Sequence, residues 1–243
     1  MFLDLTSAQI VVTVVAVVAG SLAQSTIGLG FGMVLVPILA VFAPDLLPAM
    51  PLILAGVLSL AMIVRERSAI DMRGLPPLLA GRLLGILPAV WLLIILTGPA
   101  LEILFGVVIV VVVAMSARKA SIRPSPVARF VGGSVSGLFA TTAAIGGPPV
   151  AILYQDRPGP EVRSTLAVLV AVGSVLSLVG LIPTGRITWE HLILGLALLV
   201  PTAVGFALSG PLGQFLEGRL LRPAILLFAA AGGVMAIVRG LIG

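Results

Sequence analysis

Gly28-Leu-Gly-Phe-Gly32, followed by Pro37, lies inside an uncharged run of 40 residues near the start of the chain. A membrane-spanning helix needs roughly 20 apolar residues, so this run is too long for one helix. Glycine and proline are the residues that most readily interrupt a helix. The run therefore predicts a helix over about 9–27, a break at the glycines, and a short helix over about 33–42.

A second interrupted segment lies in the other half of the chain. A helix over about 127–140 meets a break at 141–149, which contains the glycines and prolines of Ile145-Gly-Gly-Pro-Pro-Val150. A short helix then continues to about Tyr154. Interrupted helices are tolerated in a membrane protein only where they are buried in protein or line a cavity. Both breaks are therefore candidate parts of a binding site.

The composition is that of a polytopic membrane protein. Of the 243 residues, 60% are hydrophobic and 9% are charged, whereas a soluble domain carries about 25% charged residues. The absence of cysteine excludes disulfides and thiolate metal sites, and a single histidine leaves little for histidine-dependent catalysis. We expect no metal, no cofactor and no enzymatic activity. The net charge of +5 comes from short basic clusters between apolar runs, as in cytoplasmic loops, and does not indicate nucleic-acid binding.

Each interrupted segment is followed by three predominantly apolar stretches that are long enough to cross a bilayer. These predicted spans cover about 48–64, 75–96 and 99–117 in the first half and about 162–182, 189–208 and 220–238 in the second. The sequence therefore predicts an all-α membrane protein in which two transmembrane repeats, 1–120 and 121–243, form one integral domain.

Weak internal similarity supports the two repeats. At a spacing of about 117 residues Gly20 aligns with Gly137, Ala23 with Ala140 and Gly30 with Gly147, and at slightly larger spacings Arg67 aligns with Arg186 and Gly85 with Gly205. Chance alignment of common apolar residues is the alternative. The repeat is favoured because an interrupted segment opens each half.

The distribution of positive charge favours inverted repeats. If each half crosses the membrane an odd number of times, both termini lie outside, with eleven Lys or Arg in cytoplasmic loops and only Arg186 and Arg239 outside. The rival model with parallel halves gives nine inside and four outside at best. The positive-inside rule favours the inverted model, with the protein in the cell inner (plasma) membrane.

The two breaks resemble a known pair of motifs. Gly28-Leu-Gly-Phe-Gly32 with Pro37 resembles the first half-motif of the sulfite exporter TauE/SafE family, and Ile145-Gly-Gly-Pro-Pro-Val150 with Tyr154 resembles the second. The resemblance implies a bacterial inner-membrane transporter that exports sulfite or small organosulfonates such as sulfoacetate. Phe31 and the stretch 141–144 depart from the family pattern, which leaves the exact substrate open.

An oxyanion at the breaks would be bound by helix N-termini, which offer free N–H groups and about half a positive charge. Glycines let the backbone approach such a ligand closely. The candidate substrate-binding residues are Gln24, Ser25, Thr26, Gly28, Gly30, Gly32, Thr141, Thr142, Gly146, Gly147 and Pro148. The competing interpretation is helix packing through small residues, which we prefer for Gly81, Gly85, Gly133 and Gly137.

Arg82 is the one charge set inside an apolar helix. Two roles are open for it: its long side chain snorkels to the membrane interface, or it attracts anions in a cytoplasmic vestibule. Glu102 and His191 lie near predicted outer ends, where we expect them to be solvated.

Two further functions are compatible with the sequence. The chain could be the permease subunit of a larger complex, or a carrier of a different small solute. Small-residue helix faces permit a homodimer without requiring one. The sequence does not fix the substrate, the direction of transport or its energy coupling.

Overall fold

The computed structural model describes residues 6–117, 122–216 and 221–242, with side chains over 6–117, 122–212 and 223–242. Within these ranges every regular element is helical. The α-helices are α1 Ser7–Ile27, α2 Phe31–Phe42, α3 Ala49–Glu66, α4 Leu75–Ile95, α5 Pro99–Ala117, α6 Pro126–Ala143, α7 Gly147–Ala151, α8 Gly159–Leu181, α9 Trp189–Ala197, α10 Leu199–Leu216 and α11 Leu221–Ile242. Short 3-10 turns cover Pro44–Leu46, Arg67–Ala69, Ile152–Tyr154 and Ile182–Thr184.

Six of the described helical segments are long and apolar enough to cross a membrane. They are Ser7–Ile27, Ala49–Ala69, Leu75–Ile95, Pro99–Ala117, Gly159–Thr184 and Pro223–Ile242, and the pair α9–α10, bent by 40°, is a seventh candidate. Large apolar side chains such as Leu87, Trp91 and Val200 are exposed on their outer faces. An apolar surface of this kind suits lipid rather than water. The prediction of an all-α polytopic membrane protein is confirmed.

Two predicted elements differ from the structure. The span expected over 189–208 is not one straight helix, because it bends at Leu198 between α9 and α10. The second break is shorter than predicted, because α6 continues through Ala143 and only 144–146 separate it from α7. Threonines do not end a helix by themselves. The prediction, which ended the helix before Thr141, therefore placed the start of this break three residues too early.

One end of the bundle, here end A, is formed by the α3–α4 loop (67–74), the start of α6, and the turn Ile152–Tyr154. Asp71 joins these elements. Arg129 Nη2 donates to Asp71 Oδ2 at 3.0 Å, and the Tyr154 hydroxyl donates to the same oxygen at 2.9 Å. The start of α6 and the end of the α7 segment therefore lie at the same end of the molecule.

The opposite end, end B, contains the turn that follows α2, the end of α4, and the start of α9. His191 Nε2 lies 2.9 Å from the carbonyl oxygen of Asp45. Arg186 donates to the carbonyl oxygens of Leu93 and Leu96, both at 2.9 Å. The expectation that His191 is solvated is wrong: it is buried, because it links the turn after α2 to α9.

Close helix crossings are built on small residues. A side chain at Gly81, Gly85, Gly133 or Gly137 would collide with backbone atoms of the facing helix in the α4–α6 pair. The interpretation of these four glycines as packing contacts is confirmed. They let two backbones approach closely, which compensates for the absence of a hydrophobic driving force between helices in lipid.

α2 is too short to cross the bilayer and lies inside the bundle. Leu35, Val36 and Leu39 are fully buried in the main apolar core. α2 packs against α1, and against α11, where Gly232 contacts Pro37. A short helix surrounded by protein leaves no unsatisfied backbone facing lipid, as an interrupted segment requires.

Candidate functional site

The first break is formed by two glycines in conformations that other residues rarely adopt. Gly28 caps α1 at φ 80°, and its N–H donates to the Gln24 carbonyl oxygen at 2.8 Å. Gly30 precedes α2 at φ 132°. Since glycine has no Cβ, it takes both conformations without steric cost. The break is therefore encoded in the local sequence.

The N-terminus of α2 presents backbone donors at this break. Gln24 Oε1 accepts from the Phe31 N–H at 3.2 Å. The first intrahelical bond runs from Val34 N–H to the Gly30 carbonyl at 2.9 Å. The N–H groups of Gly32 and Met33 precede that bond, so the helix itself supplies no acceptor for them.

The second break is built differently. Ala144 ends α6 at φ 54°, a left-handed conformation that is uncommon for a residue with a side chain. α7 has only five residues, beginning at Gly147, and Pro148 and Pro149 have no N–H to offer. This break therefore presents few donors.

The two breaks meet each other inside the bundle. A side chain at Gly32 would collide with the carbonyl oxygen of Ala144. A side chain at Gly147 would collide with the side chain of Leu29. Two segments more than 100 residues apart in sequence thus form one site.

A small cavity of about 30 Å³ lies where the breaks meet. About 10–15 Å³ is enough for one water, so the cavity has room for about two or three waters and not for a large metabolite. Among the described residues, those that line the cavity carry no charge. α3 and α8 complete the wall through Ala55 and Val170.

Seven of the predicted site residues line this cavity: Gln24, Gly28, Gly30, Gly32, Gly146, Gly147 and Pro148. The other four, Ser25, Thr26, Thr141 and Thr142, are buried outside its wall. Thr26 donates back to its own helix at the Leu22 carbonyl, and the hydroxyls of Thr141 and Ser177 are 2.7 Å apart. Sequence reasoning missed the apolar wall: Leu29, Phe31, Met33, Ala55, Ala144, Ile145 and Val170.

Arg163 closes the first break on the side of end A. Its side chain packs on Gly28, and its Nε donates to the two carboxylate oxygens of Glu66 at 3.0 and 3.1 Å. Its Nη1 also reaches the Thr26 carbonyl at 3.4 Å, while Arg65 donates to the Ser25 carbonyl. Cations at a helix C-terminus stabilise the last carbonyls, so these arginines neutralise the negative end of α1 near the cavity.

The Asp71 cluster holds the end of the segment that follows the second break, at Tyr154, on the same side of the molecule. Burial raises the pKa of Asp71, but hydrogen bonds from Tyr154 and the Gly74 N–H, with the charge of Arg129, bring that pKa below its ordinary value. Burial, and then the hydrogen bond to Asp71, raise the pKa of Tyr154. Asp71 is therefore ionised and Tyr154 is neutral at physiological pH, which keeps their hydrogen bond intact.

Arg82 lies in the interior of the protein. Only 1% of it is exposed, so the snorkelling interpretation is wrong, and the side chain does not face an open vestibule either. Its Nη1 donates to Ser136 Oγ at 2.9 Å, and its buried Nε has no hydrogen-bond partner in the part of the chain that the structure describes. Sequence reasoning missed this burial because it depends on α6 and α8 packing around α4.

The family model of the sulfite exporter TauE/SafE family matches residues 12–236, which include both breaks. The chain belongs to the sulfite exporter TauE/SafE family. Neither the curated proteins nor the solved structures contain a match. Membership in this family implies a multi-pass membrane transporter of sulfur anions, in agreement with the six apolar helices.

The described wall of the cavity is uncharged. The polar groups of the lining residues are those of the backbone and the amide of Gln24, whose nitrogen is a donor. The described wall contains no carboxylate that would repel an anion. Such a site can replace part of the hydration of an oxyanion.

Proposed function

We propose that this chain exports small sulfur oxyanions, such as sulfite or organosulfonates including sulfoacetate, from the cytoplasm across the inner membrane. The observation that carries the proposal is the uncharged cavity in which both breaks meet. Gly32 and Met33 expose N–H groups there at the start of a 12-residue helix. A helix N-terminus favours an anion through these donors and through its partial positive charge.

The lengths of the short helices support a site near the membrane midplane. α2 has 12 residues and extends about 18 Å from the cavity to end B at the helical rise. The eight residues from Gly147 to Tyr154 extend about 12 Å to end A by the same measure. The sum is about 30 Å, which is the thickness of the hydrocarbon core.

Helix pairing supports two inverted repeats. α4 of the first half packs on α6, and α10 of the second half packs on α1. Gly85 faces the Ser134 carbonyl in one pair, and Gly205 faces the Val18 carbonyl in the other. Exchanging the halves therefore exchanges equivalent contacts, as a two-fold axis would require. Because α2 runs to end B and the α7 segment runs to end A, that axis would lie in the membrane plane.

Charge supports end A as the cytoplasmic side, with both termini outside. The described arginines at end A are Arg65, Arg67, Arg73, Arg123, Arg129, Arg157 and Arg163, against Arg186 and Arg239 at end B. The excess at end A agrees with the positive-inside rule. The chain has no cysteine, so single cysteines can report the orientation directly.

The orientation is tested with Arg73→Cys at end A and Glu190→Cys at end B, both at exposed positions. In intact cells a membrane-impermeant maleimide should label only Glu190→Cys, and cell disruption should make Arg73→Cys reactive. Labelling of Arg73→Cys in intact cells would show that end A lies outside the cell, which is the opposite of the proposed orientation.

Binding is tested by thermal unfolding of the detergent-purified protein with sulfite, sulfoacetate, sulfate, taurine and acetate at matched ionic strength. A ligand that binds only the folded state raises its stability. We expect sulfite or sulfoacetate to stabilise the protein selectively, and folded Gly30→Leu and Gly147→Leu variants to lose the response. No stabilisation by any oxyanion would contradict the proposal.

Transport is tested in proteoliposomes loaded with sulfite. An anion leaving a compartment that is negative inside gains about 2.3 kcal/mol per charge per 100 mV. Efflux should therefore accelerate when the interior is made negative. Efflux that is equally fast at zero potential without a concentration gradient would rule out facilitated export.

A further inference from the structure

We propose that the buried guanidinium of Arg82, joined to the cavity wall through Ser136, is the counter-charge of the transported anion and makes the site select net-negative oxyanions over zwitterions. The inference rests on the proposed function and extends it to the substrate class. Two independent observations carry it: a buried charge that lacks a counter-ion, and its connection to the cavity.

The first observation is the lack of a negative partner. Arg129 and Arg163 are paired with Asp71 and Glu66 at 3.0 and 2.9 Å. Arg82 is more deeply buried than either, and no carboxylate of the described residues forms an ion pair with it. Within the described ranges its single hydrogen bond is to the neutral Ser136.

A buried charge without a partner is strongly unfavourable. An arginine does not escape this cost by losing its proton, because its guanidinium stays charged in proteins. The unpaired Nε of Arg82 is a further unsatisfied donor. A negative charge near Arg82 would therefore stabilise the buried guanidinium, and a transported anion would supply that charge.

The second observation connects Arg82 to the cavity. Ser136 Oγ accepts from Arg82 Nη1 at 2.9 Å. The same serine lies directly behind Gly146, where an added Cβ would stand 2.7 Å from the Ser136 carbonyl oxygen and 2.9 Å from Oγ. Gly146 lines the cavity. Ser136 and Gly146, beside the side chain of Ala140, therefore connect the guanidinium to the cavity wall.

α8 leaves room for the guanidinium on its other side. Gly173 faces Arg82, and a Cβ at this position would overlap the side-chain nitrogen Nε. Any other residue at this position would therefore displace the charged group. A substitution at Gly173 would therefore move the charge of Arg82 without removing it.

These contacts set a rule for substrate choice. Net negative charge in the cavity offsets the positive charge of Arg82, which is buried without a carboxylate partner among the described residues. A zwitterion such as taurine has no net charge, and the described cavity wall offers no carboxylate for its ammonium group. The site should therefore bind sulfoacetate and sulfite but discriminate against taurine.

The experiment measures the dissociation constants of sulfite, sulfoacetate and taurine by thermal unfolding for the wild type and four variants. Arg82→Gln removes the charge, Arg82→Lys keeps it, and Gly173→Ala displaces it. Arg73→Gln is the matched control, because it removes the same charge from an exposed loop at end A.

We expect Arg73→Gln to bind like the wild type and Arg82→Gln to bind sulfite roughly 10- to 100-fold more weakly, since hydrogen bonds to charged groups are worth about one to two factors of ten. Arg82→Lys should lie between them, and Gly173→Ala should weaken binding at least several-fold. Wild-type affinity for taurine should be at least tenfold below that for sulfoacetate.

The outcomes separate this inference from the proposed function. If the wild type responds to no oxyanion, the proposed function fails and this inference fails with it. If the wild type responds and folded Arg82→Gln binds sulfite with unchanged affinity, only the counter-charge role is wrong. Should Arg82→Gln not fold, unchanged affinity in Gly173→Ala overturns the inference, as does equal affinity for taurine and sulfoacetate in the wild type.

Discussion

In the first break, α1 ends at Gly28 and a 12-residue helix begins beside Gln24, whose side chain caps it. In the second break, α6 ends at Ala144, and a five-residue helix begins with a glycine and two prolines and has no side-chain cap. The two segments occupy equivalent positions in the two halves of the sequence. Their chemistry at the shared cavity is nevertheless different.

Under the proposed function, the difference gives the two breaks different ways of stabilising the same anion. Partial positive charge at a helix end comes from several aligned peptides and free N–H groups, which α2 has. α7 is short, and Pro148 and Pro149 lack N–H groups. The second break instead lies in front of Ser136 and Arg82. The first break would then bind the anion by its backbone, and the second break would lie between the anion and the buried charge of Arg82, which α4 of the first half carries.

The largest expected effect comes from the contact between the breaks. Gly32→Ala would drive a methyl group into the Ala144 carbonyl, and displaced backbone costs about 1–3 kcal/mol or more. Gly147→Ala would meet only the end of the Leu29 side chain, which can move, so we expect less than about 1 kcal/mol. Thermal unfolding of both variants measures the difference. Equal losses would show that the breaks do not meet as the structure has them.

The cap on α2 is the next largest effect. Gln24→Leu leaves the buried Phe31 N–H without its acceptor, which costs about 1–3 kcal/mol. Gln9→Leu is the matched control, because the Gln9 amide accepts from the Thr6 N–H at an exposed helix start, where loss of a cap costs about 1 kcal/mol or less. Unfolding midpoints compare the two. A larger loss in Gln9→Leu would contradict the role of Gln24 as a buried cap.

A smaller effect is expected from a proline in the second break. Pro148→Ala adds an N–H group at the cavity and increases the entropy of the unfolded chain, which costs about 0.4–1 kcal/mol. If this break shapes the cavity wall in front of Arg82 and does not supply backbone donors, the affinity for sulfite should change less than about threefold. A tenfold gain in affinity would show that missing N–H groups limit binding, and the division between the breaks would be wrong.

The smallest expected effect is the pH dependence of the stability that the Asp71 cluster contributes. The pKa of Asp71 is lowered in the folded protein, so its contribution to stability is present above the ordinary aspartate value of about 3.9 and is lost as pH falls through the lower folded value. Asp71→Asn should therefore be less stable than the wild type near neutral pH, and the two should converge as pH falls below the lowered pKa of Asp71 in the folded protein. Unfolding midpoints across this range test the sign. A gap that widens towards low pH would show that Asp71 does not act as a paired carboxylate.

Much of the fold could be predicted because its signals are local. Gly28 and Gly30 adopt left-handed conformations that their own lack of a Cβ permits. Uncharged runs of fixed length predict spanning helices because bilayer thickness is fixed. The packing role of Gly85 and Gly137 follows from the same need for close approach in lipid. Each of these inferences uses only neighbours in sequence.

The composition of the cavity wall could not be predicted in the same way. Ala55 and Val170 are ordinary apolar residues of α3 and α8, and nothing beside them in sequence marks them as wall residues. Thr141 and His191 are buried, and each forms a hydrogen bond with a distant residue. The partners are 36 and 146 positions away in sequence, respectively. Such contacts depend on how whole helices pack.

The sequence by itself determined that this chain crosses a membrane, that two of its segments are interrupted, and that it belongs to a family of sulfur-anion transporters. Hydrophobicity, glycine and proline act within one or two helical turns, so the order of residues is enough to reveal them. Only the tertiary structure decided that the breaks share one cavity and that Arg82 is buried behind it without a carboxylate. Burial and charge pairing are properties of helices brought together from distant parts of the chain, and no local pattern records them.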